Sequence, residues 1–243
     1  GPTDMSDIGV TWFSEFLAGI GEGRDLLHIS QVFHRSAWRY FGLPRSNPSR
    51  SAAAPVNNFG DLRNGVRFGI PVAELDSSAK ALVAKYNKTF CGAVDWTASN
   101  STVKECEGNE DIEFVAFGFD ISVALNMRLD FAQGMVYNEL GQMLAKTQNG
   151  EFLYTVSSPG ASNNIRVYDP AEVDGLFLAE DGLTVSKAWG EGSPGALDAI
   201  QSFLEASYLG WIYCRDHEEE CVQLVALPGG NSNQQEFYTA QRW

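Results

Sequence analysis

Gly134-Met-Val-Tyr-Asn-Glu139 (GMVYNE) is the stretch on which the reading of the whole chain turns. Gly134, Met135 and Val136 are small or apolar, as a buried strand requires. Tyr137, Asn138 and Glu139 then place an aromatic ring, a two-way amide and a carboxylate at its carboxyl end. In open α/β sheets, small ligands bind in the crevice beyond the carboxyl ends of the strands. Three such groups stack on, hydrogen-bond and charge-pair a small polar heterocycle. The same residues also fit an ordinary strand-to-helix turn with Asn138 as its N-cap.

Working outward, Ile112 to Phe119 reads as a strand, Ile121 to Leu129 as a helix, Phe131 to Tyr137 as a strand, and Leu140 to Lys146 as the next helix. Upstream, Val66–Ile70 is an expected strand, and Ser77 to Lys88 has apolar residues at helical spacing. The first strand is expected over Ser6–Trp12, followed by a helix from Phe13 to Gly19 packed by Phe13, Phe16, Leu17 and Ile20. Asp25 to Arg35 alternates apolar residues and reads as a second strand. Trp38 to Phe41 fits a strand or a crossover, and Leu43 to Phe59, with three prolines, fits a linker-like insert. Asp174 to Val185 is expected as a returning strand with a turn at Asp181-Gly182. Ser193 to Tyr213 is the strongest helix, with Leu197, Ile200, Phe203, Leu204, Tyr208 and Trp211 on one apolar face. Strand and helix alternate without hairpin turns, which predicts a parallel or mixed sheet in each of two α/β lobes.

The chain has 243 residues, 44% apolar and 20% charged, with a net charge of −14. That balance opposes binding to nucleic acid or anionic lipid, whose phosphates need a basic surface. No apolar run approaches the ~20 residues of a membrane span. No signal-peptide pattern opens the chain, and Gly1-Pro2 reads as a protease remnant or as native residues. GxSxG, HExxH and P-loop patterns are absent.

Four cysteines fall into two local pairs. A Cys91–Cys106 bridge would pin the polar segment between them, worth about 3 kcal/mol on loop-entropy grounds. Cys214 and Cys221 would stand roughly 10.5 Å apart on one continuous helix, too far to bridge. Asp216 with Glu219 three residues on is a capping-box pattern, however, and a helix break there brings the pair together. Neither spacing suits zinc, and His28, His34 and His217 do not cluster with the thiols. Two disulfides imply an extracellular, periplasmic or organelle-lumen setting.

Five pieces in order resemble the thiamine-pyrimidine-precursor branch of the type II periplasmic substrate-binding proteins of ABC transporters. They are Asp7-Ile-Gly-Val-Thr-Trp12, Gln31-Val-Phe-His-Arg-Ser36, Phe117-Gly-Phe-Asp120, Met135-Val-Tyr-Asn-Glu139, and Gly210-Trp-Ile-Tyr-Cys-Arg-Asp216 with Glu220-Cys-Val222. The resemblance implies two α/β lobes, residues 1–42 with 180–243 and residues 43–179, closing on a solute between them. It lacks the strand–helix–strand that opens family members, so the first lobe is expected to be incomplete. A bare sheet edge and apolar helix face would follow, covered by another chain or a second copy.

Carried over residue by residue, the resemblance implies a ligand-binding set of Trp12, Arg35, Ser36, Glu74, Asp120, Tyr137, Asn138 and Glu139. Each has a structural alternative: Trp12 as core packing, Arg35 as a surface ion pair, Asp120 as a helix cap. Trp189 is expected to pack at the return crossover. A related synthase of the family consumes its own histidine, with pyridoxal phosphate on a lysine. Thr11 and Glu15 stand at those positions, and Gly69-Ile-Pro-Val-Ala-Glu74 stands where its phosphate loop would be. The chain is therefore expected to be no enzyme, to hold no cofactor or metal, and to bind a small nitrogenous solute. The second expectation is a scaffold that has become an assembly subunit.

Overall fold

A computed structural model describes residues 7–31, 36–43, 58–62, 65–71, 77–93, 103–108, 110–118, 121–127, 129–144, 147–148, 151–152, 164–176 and 181–226. In chain order the first elements are β1 (Ile8–Trp12), α1 (Phe13–Gly21), β2 (Leu26–Gln31) and β3 (Trp38–Gly42). Next come β4 (Val66–Ile70), α2 (Ser77–Tyr86), β5 (Phe90–Cys91), β6 (Ile112–Ala116), α3 (Ile121–Asn126) and β7 (Phe131–Met135). A π-helical turn at Val136–Leu140 runs into α4 (Gly141–Leu144). The short ladder of β8 (Thr147–Gln148) and β9 (Glu151–Phe152) precedes β10 (Arg166–Tyr168) and α5 (Pro170–Asp174). The chain then forms β11 (Asp181–Ser186), α6 (Lys187–Gly192), α7 (Ala196–Asp216) and α8 (Glu218–Ala226).

Two compact units result, one from Gly1–Ser36 with Phe177–Val225 and one built on Ala37–Leu176. β3 lies in the larger unit, where it pairs with β7 over Trp38–Gly42. The chain returns to the smaller unit between Leu176 and Phe177.

The larger unit holds a six-stranded sheet in the order β10-β3-β7-β4-β6-β5. Strands β7, β4, β6 and β5 are mutually parallel, and β3 and β10 add antiparallel at one side. Helices and loops cover both faces, which is why these strands are apolar at successive residues rather than at alternate ones. Tyr40, Phe68, Phe114 and Phe131 pack on one face with Leu82 and Val83 of α2. Phe41, Ala132 and Ile165 pack on the other with Leu140 and Met143. Asp174, at the end of α5, is buried and accepts the Phe59 N–H at 2.9 Å and the Tyr86 hydroxyl at 2.8 Å.

The smaller unit has a three-stranded sheet, β1-β11-β2, in which both ladders are antiparallel. The parallel or mixed sheet expected here does not form, because the returning strand inserts between β1 and β2. Asp181 and Gly182, expected as a turn, are the first two residues of β11. A bulge between Leu183 and Thr184 turns the β2 partners His28 and Ser30 to opposite faces. His28 sits against the Phe13 and Phe16 rings of α1, while the Ser30 hydroxyl meets the Tyr208 hydroxyl of α7. Three strands bury little: Leu17 and Ile20 of α1, expected in the core, are exposed.

Both expected disulfides are present. Cys91 bonds to Cys106, and Cys214 bonds to Cys221 with Cα atoms 5.4 Å apart. The second closes because α7 ends at Asp216 and a new helix starts at Glu218.

Candidate functional site

Since β4, β6 and β7 are parallel, their carboxyl ends share one edge of the larger unit. The edge is knit by backbone bonds: the Phe117 N–H donates to the Ile70 carbonyl at 3.0 Å, and the Val136 N–H to the Ala37 carbonyl at 3.0 Å. Beyond β4 and β6 the chain proceeds to α2 and α3, and beyond β7 it enters the π-helical turn directly. Helix starts leave N–H groups without intrahelical acceptors, so this edge favours acceptor-rich or anionic groups.

Within the turn, Glu139 is fully buried and its Oε2 accepts the Met135 N–H at 2.7 Å. Its side chain lies against Gly134, where a Cβ would come within 2.7 Å of the Glu139 Cβ. Glu139 therefore braces the turn from beneath. Tyr137 and Asn138 lie in the helical turn rather than at the tip of a strand, and their side chains lie outside the described residues. Ser36 is half-buried and immediately precedes Ala37, whose carbonyl is tied to Val136. Arg35, Glu74 and Asp120 lie outside the described residues.

Gln133 was not singled out from the sequence. It is fully buried on β7, and its Nε2 donates to Ser78 Oγ in the first turn of α2 at 2.7 Å. Its Oε1 has no hydrogen-bond partner. An amide interrupting the apolar run Phe131-Ala-Gln-Gly-Met135 was the available signal, since a buried polar atom without a partner is rare.

In the smaller unit, Trp12 ends β1 and pairs across the ladder with Asp181. Gln31, at the end of β2, donates from Nε2 to the Asp181 carbonyl at 3.1 Å. Burial pushes the Asp181 carboxyl above its ordinary pKa. Trp12, Gln31 and Asp181 thus stand together at one edge of this sheet. Only Trp12 was expected there, because Asp181-Gly182 has the composition of a turn. Trp189 is half-buried in α6.

No protein-family model matches the chain, and no curated protein matches it in sequence. Solved structures do match. The periplasmic aliphatic sulphonate binding protein SsuA of Escherichia coli superposes with a TM-score of 0.59 at 12% identity, covering 97% of this chain and 65% of that one. The alkanesulfonate-binding SsuA of Xanthomonas axonopodis pv. citri, bound to MOPS, gives a TM-score of 0.57 at 12% identity, with coverages of 97% and 65%. The ligand-binding component of an ABC-type import system from Staphylococcus aureus, with zinc bound, gives 0.55 at 11% identity, with coverages of 98% and 66%. The fold is thus the α/β fold of type II periplasmic substrate-binding proteins. The chain spans about 65% of the length of the SsuA structures.

Proposed function

We propose that the chain is a non-enzymatic binding module for a small polar solute, of the kind that serves an ABC importer or forms the sensor of a receptor. The observation that carries this is the shared carboxyl edge of β4, β6 and β7, where each parallel strand leads on to a helical segment. The fold likeness supports it, since the neighbouring structures are described as binding aliphatic sulphonates or serving import. In this reading the residues that contact the solute are drawn from Trp12, Arg35, Ser36, Glu74, Asp120, Tyr137 and Asn138, with Trp12 as the stacking ring. Glu139 positions the turn rather than touching the solute. The preferred solute is a pyrimidine or another small nitrogenous heterocycle, which supplies acceptors for N–H donors and a face for aromatic stacking.

The two disulfides support an oxidising compartment. Among the described residues no helix is long and apolar enough to cross a membrane.

The test is thermal unfolding against a panel of thiamine-related pyrimidines, other nitrogen heterocycles and small sulfonates. A ligand at 100 times its Kd adds about 2.7 kcal/mol of stability. A saturable rise in Tm that Tyr137→Ala and Asn138→Ala abolish supports the reading; no shift with any solute contradicts it. A second reading, an assembly subunit on the same scaffold, is favoured by α7, on which Leu197, Phe203, Leu209, Trp211 and Ile212 are exposed. A mixed native particle in which the chain binds no solute would establish it.

A further inference from the structure

The α7 helix is apolar on more sides than its sheet can cover. Of its 21 residues only Ala196 and Ile200 are buried. The face expected to pack carries Leu197 at 72% exposure and Trp211 at 51%, and on other sides Leu209 is 58% and Ile212 46% exposed. Large apolar side chains left bare on a helix mark an interaction site when they form a contiguous surface.

The sheet beneath shows where the missing cover belongs. Val10 pairs with Leu183, and Leu183 pairs with Ser30, so the three side chains form a row on one face. The Tyr208 hydroxyl of α7 meets Ser30 at one end of that row. At the other end Val10 is 69% exposed, although Leu183 between them is buried. Val10 lies two strand spacings from Ser30, roughly 10 Å, and helices pack side by side at about 8–10 Å. One further helix laid beside α7 would therefore sit over β1 and cover Val10. β1 is also an edge strand.

Charge selects the occupant. Asp198, Glu205, Asp216 and the run Glu218–Glu220 lie on α7 and α8. The single cation of the two helices, Arg215, is paired with Asp216 at 2.8 Å. A second copy would set this acidic surface against its equal, on a chain whose net charge is already −14. Like charges across an interface suppress pairing, and opposite charges promote it.

We propose that the α7–β1 face of the smaller unit is a docking surface for a basic amphipathic helix of a different polypeptide. Its apolar side lies over Val10 and along α7, and its Lys or Arg residues lie toward Glu205 and Glu218–Glu220.

The test uses the full chain and a labelled 18-residue Leu/Lys amphipathic peptide, with its Leu/Glu counterpart as control. Light scattering first gives the mass of the chain alone, and fluorescence anisotropy then follows peptide binding. Expected are a monomer, binding of the Lys peptide, none of the Glu peptide, and amide-exchange protection on α7. Val10→Lys and Trp211→Glu, both at exposed positions, should each weaken binding tenfold or more with an unchanged circular-dichroism spectrum. A dimer cross-linked through α7 would make the occupant a second copy and overturn the proposal. So would absence of binding, or Lys-peptide binding that both variants leave intact, which is charge attraction without a site.

Discussion

Gly134 and Glu139 are matched across one helical turn: the Glu139 side chain fills the space a Gly134 side chain would take, and its Oε2 holds the Met135 N–H. The carboxyl end of β7 is therefore set by a buried carboxylate folded back on its own strand. Gly134→Ala forces backbone and side chain apart and should cost about 1–3 kcal/mol. The check is the midpoint of urea unfolding, with an unchanged slope.

Glu139→Ala removes the acceptor and leaves the buried Met135 N–H unsatisfied. The expected loss is about 1–3 kcal/mol from that donor alone. Glu139→Gln keeps an acceptor oxygen and should lose less. If the alanine and glutamine variants unfold at the same denaturant concentration, the hydrogen bond is not what holds the turn.

Asp181 supplies a pH dependence. Its folded-state pKa is raised above 3.8 by burial, so the unfolded chain ionises first as the pH rises. Its contribution to stability is full below that ordinary value and is lost as the pH climbs through the higher folded value. Asp181→Asn should therefore melt above the wild type at pH 7, with the difference shrinking toward pH 4 and below. Calorimetric melting of both proteins across pH 3.5–7.5 reads this directly.

The two disulfides should contribute unequally. Cys91–Cys106 spans 15 residues and Cys214–Cys221 spans 7. Loop-entropy arguments give about 3 kcal/mol for the first and about 2.5 for the second. The double serine variant of each pair, unfolded in urea, measures both. Loss of the second should also speed amide exchange in α8, since it anchors that helix to the end of α7.

Much of the fold was legible because local pattern and tertiary position agree. The apolar runs at Val66–Ile70, Ile112–Ala116 and Phe131–Met135 are strands buried on both faces, and the 3.6-residue spacing after Ser77 is α2. The Cys214–Cys221 bridge was legible because a helix break was expected near Asp216, although Asp216 ends α7 bonded to Arg215 instead of capping α8. What escaped depends on distant partners. Asp181-Gly182 has turn composition and becomes strand only because β1 and β2 flank it. Ile29, left without a ladder partner between Ser30 and His28, undoes the simple alternation of β2. β3 falls in the larger unit because β7 offers it an edge. The apolar face of α7 reads in sequence like any core face, since periodicity records what a helix can bury, not what is there to cover it. At the site, Glu139 has the composition of a ligand contact, and only the close approach to Gly134 shows it turned inward.

The central claim is that a small solute sits at the carboxyl edge of β4, β6 and β7. Amide hydrogen exchange on the protein saturated with its best thermal stabiliser tests this most directly. The account predicts slowed exchange confined to the Ser77–Ser78 start of α2, the Phe117–Gly118 link, the Val136–Leu140 turn and the proposed contacts Trp12, Arg35, Ser36, Glu74 and Asp120. Protection elsewhere, or no solute in the panel that alters exchange anywhere, would contradict it.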